Sequence, residues 1–398
     1  MMNKNLNGKI KLPSAIILCM NAMIGAGIFA TPALLANSAG PAGILAYFFV
    51  VIAVLFLALS LAQLAREYPE EGSFYLYAKQ WSGRIGGLFA SGSYILGISI
   101  ALGALIKIAS SYLTQLVPYL DQAYATACLI FGIYSLNIFG PKLVQAGQAF
   151  FISCTLFSIL STIVLCLLNA KMSNLTPFVP HGAAPIFRQI STAIFSFFGF
   201  ESITALYKKV DNPSKNISKA VILSLSLVAL LYLTFLGSIL LAIPSRVFTT
   251  STMPLSQAIL EMFPRYSWLA KIIAISIFTA LCGVLQSLLY AISNLAQTFI
   301  KNMNSSLTNS VVRSKYSFEI LLTCMTAFIT LLSFSINKIG IFFNLASIFV
   351  ILAFILSIIT LVIKDTASIK SKIVPVLGLV TGSMIFLNAI YSFLLEII

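Results

Sequence analysis

One carboxylate lies deep inside an apolar stretch of the sequence. Glu201 directly follows the run SFFGF at 196–200, whereas the other nine acidic residues lie in polar stretches or near the ends of apolar ones. A carboxylate at the centre of a membrane helix costs about 2.5–3.5 kcal/mol on the insertion scale. Burial favours its neutral form, which suits a group that takes up and releases a proton. The alternative is a permanently protonated Glu201 that hydrogen-bonds to nearby backbone.

Glycines interrupt two apolar stretches near their centres. The first stretch contains GAG at 25–27 followed by Pro32, and the sixth contains Gly199 close to Glu201. In a helix interior Gly costs about 1 kcal/mol and Pro about 3 kcal/mol relative to Ala, so both stretches are predicted to unwind. In lipid, unwound backbone is tolerated only where it lines a cavity or contacts protein, and helix N-termini there can receive a carboxylate. The alternative is that the glycines only allow close helix packing.

The composition predicts where these features lie. The chain has 398 residues, of which 59% are hydrophobic and 9% charged. Soluble domains average about 45–50% apolar and about 25% charged residues, so a soluble enzyme, a disordered chain and a nucleic-acid binder are excluded. The six cysteines form no CxxC pair and have no metal-ligand spacing, and the single histidine, His181, lies in a Pro-rich loop. We therefore expect no metal, no cofactor and no enzymatic site.

Eleven apolar stretches predict an all-α integral membrane protein with about 11 transmembrane helices. These spans, numbered one to eleven, lie at about 13–37, 41–65, 85–113, 123–139, 143–168, 190–207, 220–243, 268–300, 318–336, 339–363 and 373–396. With the N-terminus in the cytoplasm, 17 of the 24 Lys and Arg residues fall on the cytoplasmic side, as the positive-inside rule favours. The net charge of +14 then reflects membrane insertion rather than an acidic partner, and the C-terminus lies outside.

The two interrupted spans occupy corresponding positions in two halves of one domain, 1–398. Repeat one covers about 13–168, repeat two about 190–363, and an extra helix about 373–396. Interrupted segments at matching positions are the best sequence indication of a transporter site. An odd number of spans in each half makes the two repeats inverted.

Four motifs, in order along the chain, resemble the amino acid–polyamine–organocation (APC) permease family. GAGIFATP at 25–32 is similar to the family's G-[SA]-G-[IV]-F motif, and PEEGSFYLYA at 69–78 to its P-x-x-G-[GS]-x-Y-x-Y-[AV] segment. The stretch 197–217 resembles the F-x-G-x-E-S…N-P-x-[KR]-[ND]-[IV]-[PS] signature. NIFGPK at 137–142 is similar to the start of span five in basic amino acid and polyamine antiporters, including the arginine–agmatine antiporter.

The resemblance implies a five-plus-five inverted-repeat fold in which spans one and six unwind around the substrate. Amides of the first break would hold the substrate carboxylate, carbonyls of the second would accept the α-ammonium, and a residue of span eight would line the pocket. The substrate-binding residues implied are Ile24, Gly25, Ala26, Gly27, Ile28, Phe195, Ser196, Phe198, Gly199 and Tyr290. Glu201 falls at the family's span-six glutamate, which is implicated in proton-linked gating.

The chain departs from the exchangers of basic substrates at several positions. Those exchangers carry a tryptophan near the position of Phe195, and an asparagine in span three where this chain has Ala101 and Leu102. Some proton-coupled members have a lysine in span five, where this chain has Cys154 and Thr155. Most members have 12 spans. These differences weaken the expectation of a cationic substrate and remove the lysine-based coupling route.

We therefore expect a secondary active transporter of amino acids, with basic amino acids and polyamines among the candidate substrates. It would work by exchange or proton-coupled symport in the cell membrane. A channel or a non-transporting sensor on the same fold is the alternative, and sodium coupling through hydroxyls of span eight is another. The expected partners are a small-molecule amino acid or amine and the lipid bilayer, without nucleic acid. A homodimer is expected only by analogy with some members of the family.

Overall fold

The fold is all-α over the residues that the structure, a computed structural model, describes: 10–24, 27–69, 73–138, 141–201, 210–248, 254–303, 306–314, 316–336, 338–363 and 369–397. The helices in these ranges are α1 (Leu12–Met23), α2 (Gly27–Ala39), α3 (Ile44–Glu67), α4 (Ser73–Leu116), α5 (Gln122–Ile138), α6 (Pro141–Leu168), α7 (Ala184–Arg188), α8 (Ile190–Phe195), α9 (Pro213–Ala242), α10 (Leu255–Met262), α11 (Ser267–Met303), α12 (Ser306–Arg313), α13 (Ser317–Ser335), α14 (Ile339–Ile363) and α15 (Ile369–Ile397).

Within the described ranges, eight helical segments are long and apolar enough to cross a membrane. They are Gly27–Glu67, Phe74–Leu116, Phe150–Leu168, Pro213–Ala242, Pro264–Met303, Ser317–Ser335, Ile339–Ile363 and Ser371–Ile397. The other three predicted spans consist of shorter pieces: span one is divided between α1 and α2, span four is the 17-residue α5, and span six begins with the six-residue α8. The chain is thus a multi-pass membrane protein, and the all-α prediction is confirmed.

The helix of span three begins twelve residues earlier than the predicted span, at Ser73, and bends at Gly83. Gly83 has φ 68°, and a Cβ built there would meet no atom within 4 Å, so the left-handed backbone, not crowding, requires the glycine. The Arg84 guanidinium donates to the carbonyls of Asn302 and Met303 at the end of α11, which caps that helix. The start of span three and the end of span eight therefore lie on the same side of the bundle.

Val210, shortly before α9 begins, pairs with the backbone just before α1. Val210 forms a parallel bridge with Ile10, and the Asp211 amide donates to the Ile10 carbonyl at 2.9 Å. Asn212 adopts a left-handed conformation with φ 41°, and Pro213 then occupies the first turn of α9, where its missing N–H is not needed. The motif that resembles a family signature thus encodes a helix start.

The broken spans lie between two groups of helices. α1 packs against α9, which also packs against α3, and α3 packs against α8. On the other side α4 packs against α14 and α11, and α11 packs against α6. The segments around the two breaks are therefore enclosed by both groups, near the centre of the bundle.

Candidate functional site

Spans one and six both lose their helical geometry where glycines occur. α1 ends at Met23, and its last turn closes with a 2.7 Å hydrogen bond from the Ile24 amide to the Met20 carbonyl. The next helix, α2, begins at Gly27. In span six, α8 ends at Phe195, and Gly199 has φ 114°, a conformation that side chains strongly disfavour.

The two breaks touch each other through their backbones. A Cβ on Gly27 would lie 2.7 Å from the Cα of Ser196. A Cβ on Gly199 would lie 2.2 Å from the carbonyl oxygen of Ala22. Both distances are below any real Cβ contact, so glycine at 27 and 199 is required by the approach of one break to the other.

Two tyrosines tie these backbones together. The Tyr47 hydroxyl of α3 donates to Thr31 Oγ1 at 2.9 Å and lies 3.0 Å from Ser196 Oγ. The Tyr232 hydroxyl of α9 donates to the carbonyls of Met23 at 2.7 Å and Ser196 at 3.1 Å. Each hydroxyl therefore contacts span one and span six at once, and these buried polar groups link spans one, two, six and seven.

Glu201 is buried, with 5% of its surface exposed. Its Oε1 accepts the Tyr94 hydroxyl of α4 at 2.5 Å, and its Oε2 accepts the Gly199 amide at 2.9 Å. The Tyr94 ring in turn packs against Phe74 at a tilt of 31°, with ring centroids 4.4 Å apart. The carboxylate thus joins the span-six break to span three, and the hydrogen bonds offset the desolvation of a buried acid.

A second polar contact joins span six to α14 on the other side of the break. The Ser191 hydroxyl donates to Asn344 Oδ1, and Ser347 Oγ donates to the Ser191 carbonyl at 3.0 Å. The Asn344 amide donates to Glu396 Oε1 of α15 at 3.2 Å. Span six is therefore hydrogen-bonded to neighbouring helices before and after its break.

A cavity of about 400 Å³ lies between the breaks and helices α4, α6 and α11. On α4 its wall runs from Tyr94 to Leu105 and on α11 from Ala280 to Ala291, about 16 Å along each helix at 1.5 Å per residue. Both stretches are central in their helices. The volume is at the lower end of the roughly 300–1,000 Å³ of small-molecule sites, which suits a ligand of amino acid size.

Most of the sequence-predicted site residues lie around this cavity. Those that line it are Ile24, Gly27, Phe195, Ser196, Phe198, Gly199 and Glu201. Ile28 is fully buried but does not line it, and the Tyr290 ring packs against Phe318 with centroids 5.3 Å apart. Gly25 and Ala26 lie outside the described residues. The structure thus brings one cluster together and leaves Ile28 and Tyr290 away from it.

Sequence reasoning missed the three tyrosines that hold the site. The available signal was residue type, because a tyrosine within an apolar span carries a hydroxyl that needs a partner. The partners themselves are distant in sequence: Tyr232 and Met23 are 209 residues apart, and Tyr94 and Glu201 are 107 apart. Residue type could therefore nominate Tyr47, Tyr94 and Tyr232, but only the fold identifies what they bind.

Comparison with known proteins relates the chain to amino acid permeases. It matches the family described as "Amino acid permease" over residues 10–396. The branched-chain amino acid permease BcaP of Bacillus subtilis (strain 168) is 25% identical over 307 residues, covering 72% of this chain and 66% of the relative. The cationic amino acid transporter 4 of Mus musculus is 26% identical over 304 residues, covering 69% of this chain and 47% of the relative.

A third relative carries no substrate in its name. The uncharacterized transporter Rv1979c of Mycobacterium tuberculosis (strain ATCC 25618 / H37Rv) is 28% identical over 257 residues, covering 56% of this chain and 53% of the relative. The chain thus spans about half to two thirds of the length of these relatives. The names of the first two relatives give different classes of substrate, branched-chain amino acids for one and cationic amino acids for the other.

Proposed function

Because the chain belongs to the amino acid permease family, we propose that it carries amino acids across the cell membrane by alternating access. The observation that supports this is the cavity of about 400 Å³ between the two broken spans. Secondary transporters bind their substrates near the bilayer midplane between discontinuous helices. A membrane enzyme would need clustered catalytic groups instead, and Glu201 is the one charged side chain among the described residues that line the cavity.

The two ends of an α-amino acid suit the helix termini at the cavity. α2 begins at Gly27, and the positive end of its dipole attracts a carboxylate. The carbonyls of Met23 and Ser196 lie at the ends of α1 and α8, where an ammonium group is attracted. Each already accepts the Tyr232 hydroxyl, but a carbonyl oxygen has two lone pairs, so each retains one for the substrate.

Glu201 is the residue that takes up and releases a proton in this proposal. Its carboxylate joins Gly199 at the break to Tyr94 of span three. Hydrogen bonds to an ionised carboxylate are roughly twice as strong as those between neutral groups, so protonation weakens this connection. Proton uptake is thereby coupled to the freedom of span six to move, in either an exchanger or a proton-coupled symporter.

The proposed orientation has the N-terminus in the cytoplasm. It rests on the 17 of 24 Lys and Arg residues that fall on that side. The bridge between Ile10 and Val210 accords with six spans between these two residues, because an even number returns the chain to the side from which it started.

Uptake into proteoliposomes tests the transport function. Radiolabelled amino acids and polyamines are offered in pools sorted by side-chain class, with and without a pH gradient, and with and without unlabelled compound inside. We expect at least one amino acid pool to accumulate and internal substrate to accelerate its uptake, which a channel cannot produce. If no amino acid or amine moves under any of these conditions, the proposed function is wrong.

The variant Glu201→Gln tests the proton role separately. Glutamine keeps the size of the side chain and one acceptor oxygen, replaces the other oxygen with an NH2 donor, and does not titrate. We expect the pH dependence of uptake to flatten while the order of substrates is retained. Glu261→Gln, at an exposed site on α10, is the matched control and should keep the original pH profile. An unchanged profile in Glu201→Gln would contradict the role of this carboxylate.

A further inference from the structure

Apart from Tyr94, the cavity wall formed by α4, α6 and α11 is mainly apolar, and its two aliphatic hydroxyls, on Thr155 and Ser287, donate to carbonyls of their own helices. On α4, Ile98, Ala101 and Leu105 follow the spacing of one helix face, and Val284 and Leu288 do the same on α11. This wall is what remains for the substrate side chain once the carboxylate and ammonium groups occupy the helix termini. Building on the proposed function, we infer that the protein selects α-amino acids with uncharged, apolar side chains.

The charges around the cavity argue against a cationic side chain. Glu201 is the single charged group among the described lining residues, but only 5% of its surface is exposed, and in the proposed cycle it is neutral whenever it carries a proton. A lysine or arginine side chain would leave water for an apolar surface without a dedicated counter-ion, which is strongly unfavourable. An acidic side chain would in addition face the Glu201 carboxylate. Apolar side chains incur neither cost.

The aromatic residues at the second break do not replace a counter-ion. Phe195, near the position where the exchangers of basic substrates carry a tryptophan, is only 6% exposed. Its ring packs edge-on against Phe343, with centroids 4.4 Å apart. A cation gains from an aromatic ring when it lies over the open face, and this ring is largely enclosed by protein. It serves as part of the apolar wall.

Small residues set the size of the side chain that fits. Ala101 on α4 and Ala280 on α11 both line the cavity and are almost fully buried. Gly283 lies under Phe151 of α6, since a Cβ at 283 would come within 2.4 Å of the Phe151 ring. The small side chains at 101 and 280 leave room for a branched aliphatic group, whereas the space at Gly283 is occupied by the Phe151 ring. Burial strengthens binding about fourfold per methylene group, so leucine should bind on the order of 10- to 60-fold more tightly than alanine.

Competition against the uptake of radiolabelled L-leucine into proteoliposomes tests this inference. Thermal stabilisation of the purified protein by each amino acid is an independent readout of binding. The competitors are L-isoleucine, L-valine, L-alanine, L-lysine, L-arginine and L-glutamate. We expect the branched aliphatic amino acids to bind best, and lysine, arginine and glutamate to bind at least tenfold more weakly than leucine. If lysine or arginine binds as tightly as leucine, the inference is overturned and the transport proposal stands. If no amino acid binds or moves, both are wrong.

The variant Ala101→Leu tests the position of the side-chain subsite. It should weaken leucine binding at least tenfold and change alanine binding less than threefold, because only the longer side chain meets the added group. Ala127→Leu, at an exposed site on α5, is the control and should leave both unchanged. Equal effects on leucine and alanine, or no effect on either, would overturn the assignment of this wall. Should Ala101→Leu fold poorly, Ala101→Val applies the same test with a smaller side chain.

Discussion

The Tyr232 hydroxyl provides a direct test of how the two breaks are held together. It donates to the Met23 carbonyl at 2.7 Å and to the Ser196 carbonyl at 3.1 Å, and Tyr232 is fully buried. The variant Tyr232→Phe removes this donor while keeping the ring and its packing against Tyr47 and Phe197. Any effect therefore reports on the hydroxyl rather than on lost apolar contact.

The expected cost follows from the two carbonyls. Leaving a buried acceptor without its partner lowers the free energy of unfolding by about 1–3 kcal/mol. Water in the adjacent cavity can replace the hydroxyl as donor, so the cost should lie toward the lower value. If the breaks must lie together to bind substrate, the same free energy weakens substrate affinity by about 5- to 150-fold. The loss should affect every amino acid alike, because the substrate side chain does not contact these carbonyls.

Two measurements on matched variants check this. Tyr232→Phe should unfold at a lower temperature than the unaltered protein in the same detergent, and its substrate dissociation constant should rise. Tyr134→Phe removes a hydroxyl that bonds to Thr323 at 2.9 Å at an exposed contact between α5 and α13, and should change stability by no more than about 0.5 kcal/mol. If the two variants show the same stability and the same affinity, the Tyr232 hydroxyl does not hold the breaks together and the reasoning is refuted.

Two further predictions concern backbone geometry. Gly199→Ala should lower the thermal midpoint and abolish substrate binding, because at φ 114° a Cβ would lie 2.2 Å from the Ala22 carbonyl oxygen. The control is Gly132→Ala on α5, where a Cβ meets nothing within 4 Å. This control variant should be neutral or slightly stabilising. A Gly199→Ala protein with normal binding would show that the breaks do not approach this closely. Asn212→Val should lower the free energy of unfolding by about 1–2 kcal/mol, since the φ of 41° at this position suits few side chains. Asn212→Gly should change it by only about a few tenths of a kcal/mol. Equal thermal midpoints for the two variants would contradict a left-handed residue at the start of α9.

The sequence predicts the breaks well because their cause is local. The helix penalty of Gly acts within one turn, so GAG at 25–27 is enough to predict an interruption. α1 ends at Met23 and α2 begins at Gly27, whereas Pro32 lies inside α2. The apolar spans are equally local, since each reflects the length needed to cross lipid. The start of α4 at Ser73 was not predicted because its first turns have mixed polarity, and hydropathy marks only the apolar part.

Side-chain direction within a span was harder to predict. In a helix that is apolar on all sides, periodicity does not identify the face that meets the cavity. Tyr290 was nominated from its position in span eight, yet its ring packs against Phe318, whereas Ser287 and Ala291 on the same helix line the cavity. The hydroxyl bridges of Tyr47 and Tyr232 depend on helices that meet only in the folded bundle.

Span six is tethered to fixed neighbours at two levels, one on each side of Gly199. Ser191 bonds to residues of α14 before the break, and Glu201 bonds to Tyr94 of α4 after it. A segment that tilts about its break stretches one tether while it relaxes the other, so the two are in competition. Under the proposed alternating access, we expect the relative strength of the two tethers to set how long the protein stays open to each face of the membrane.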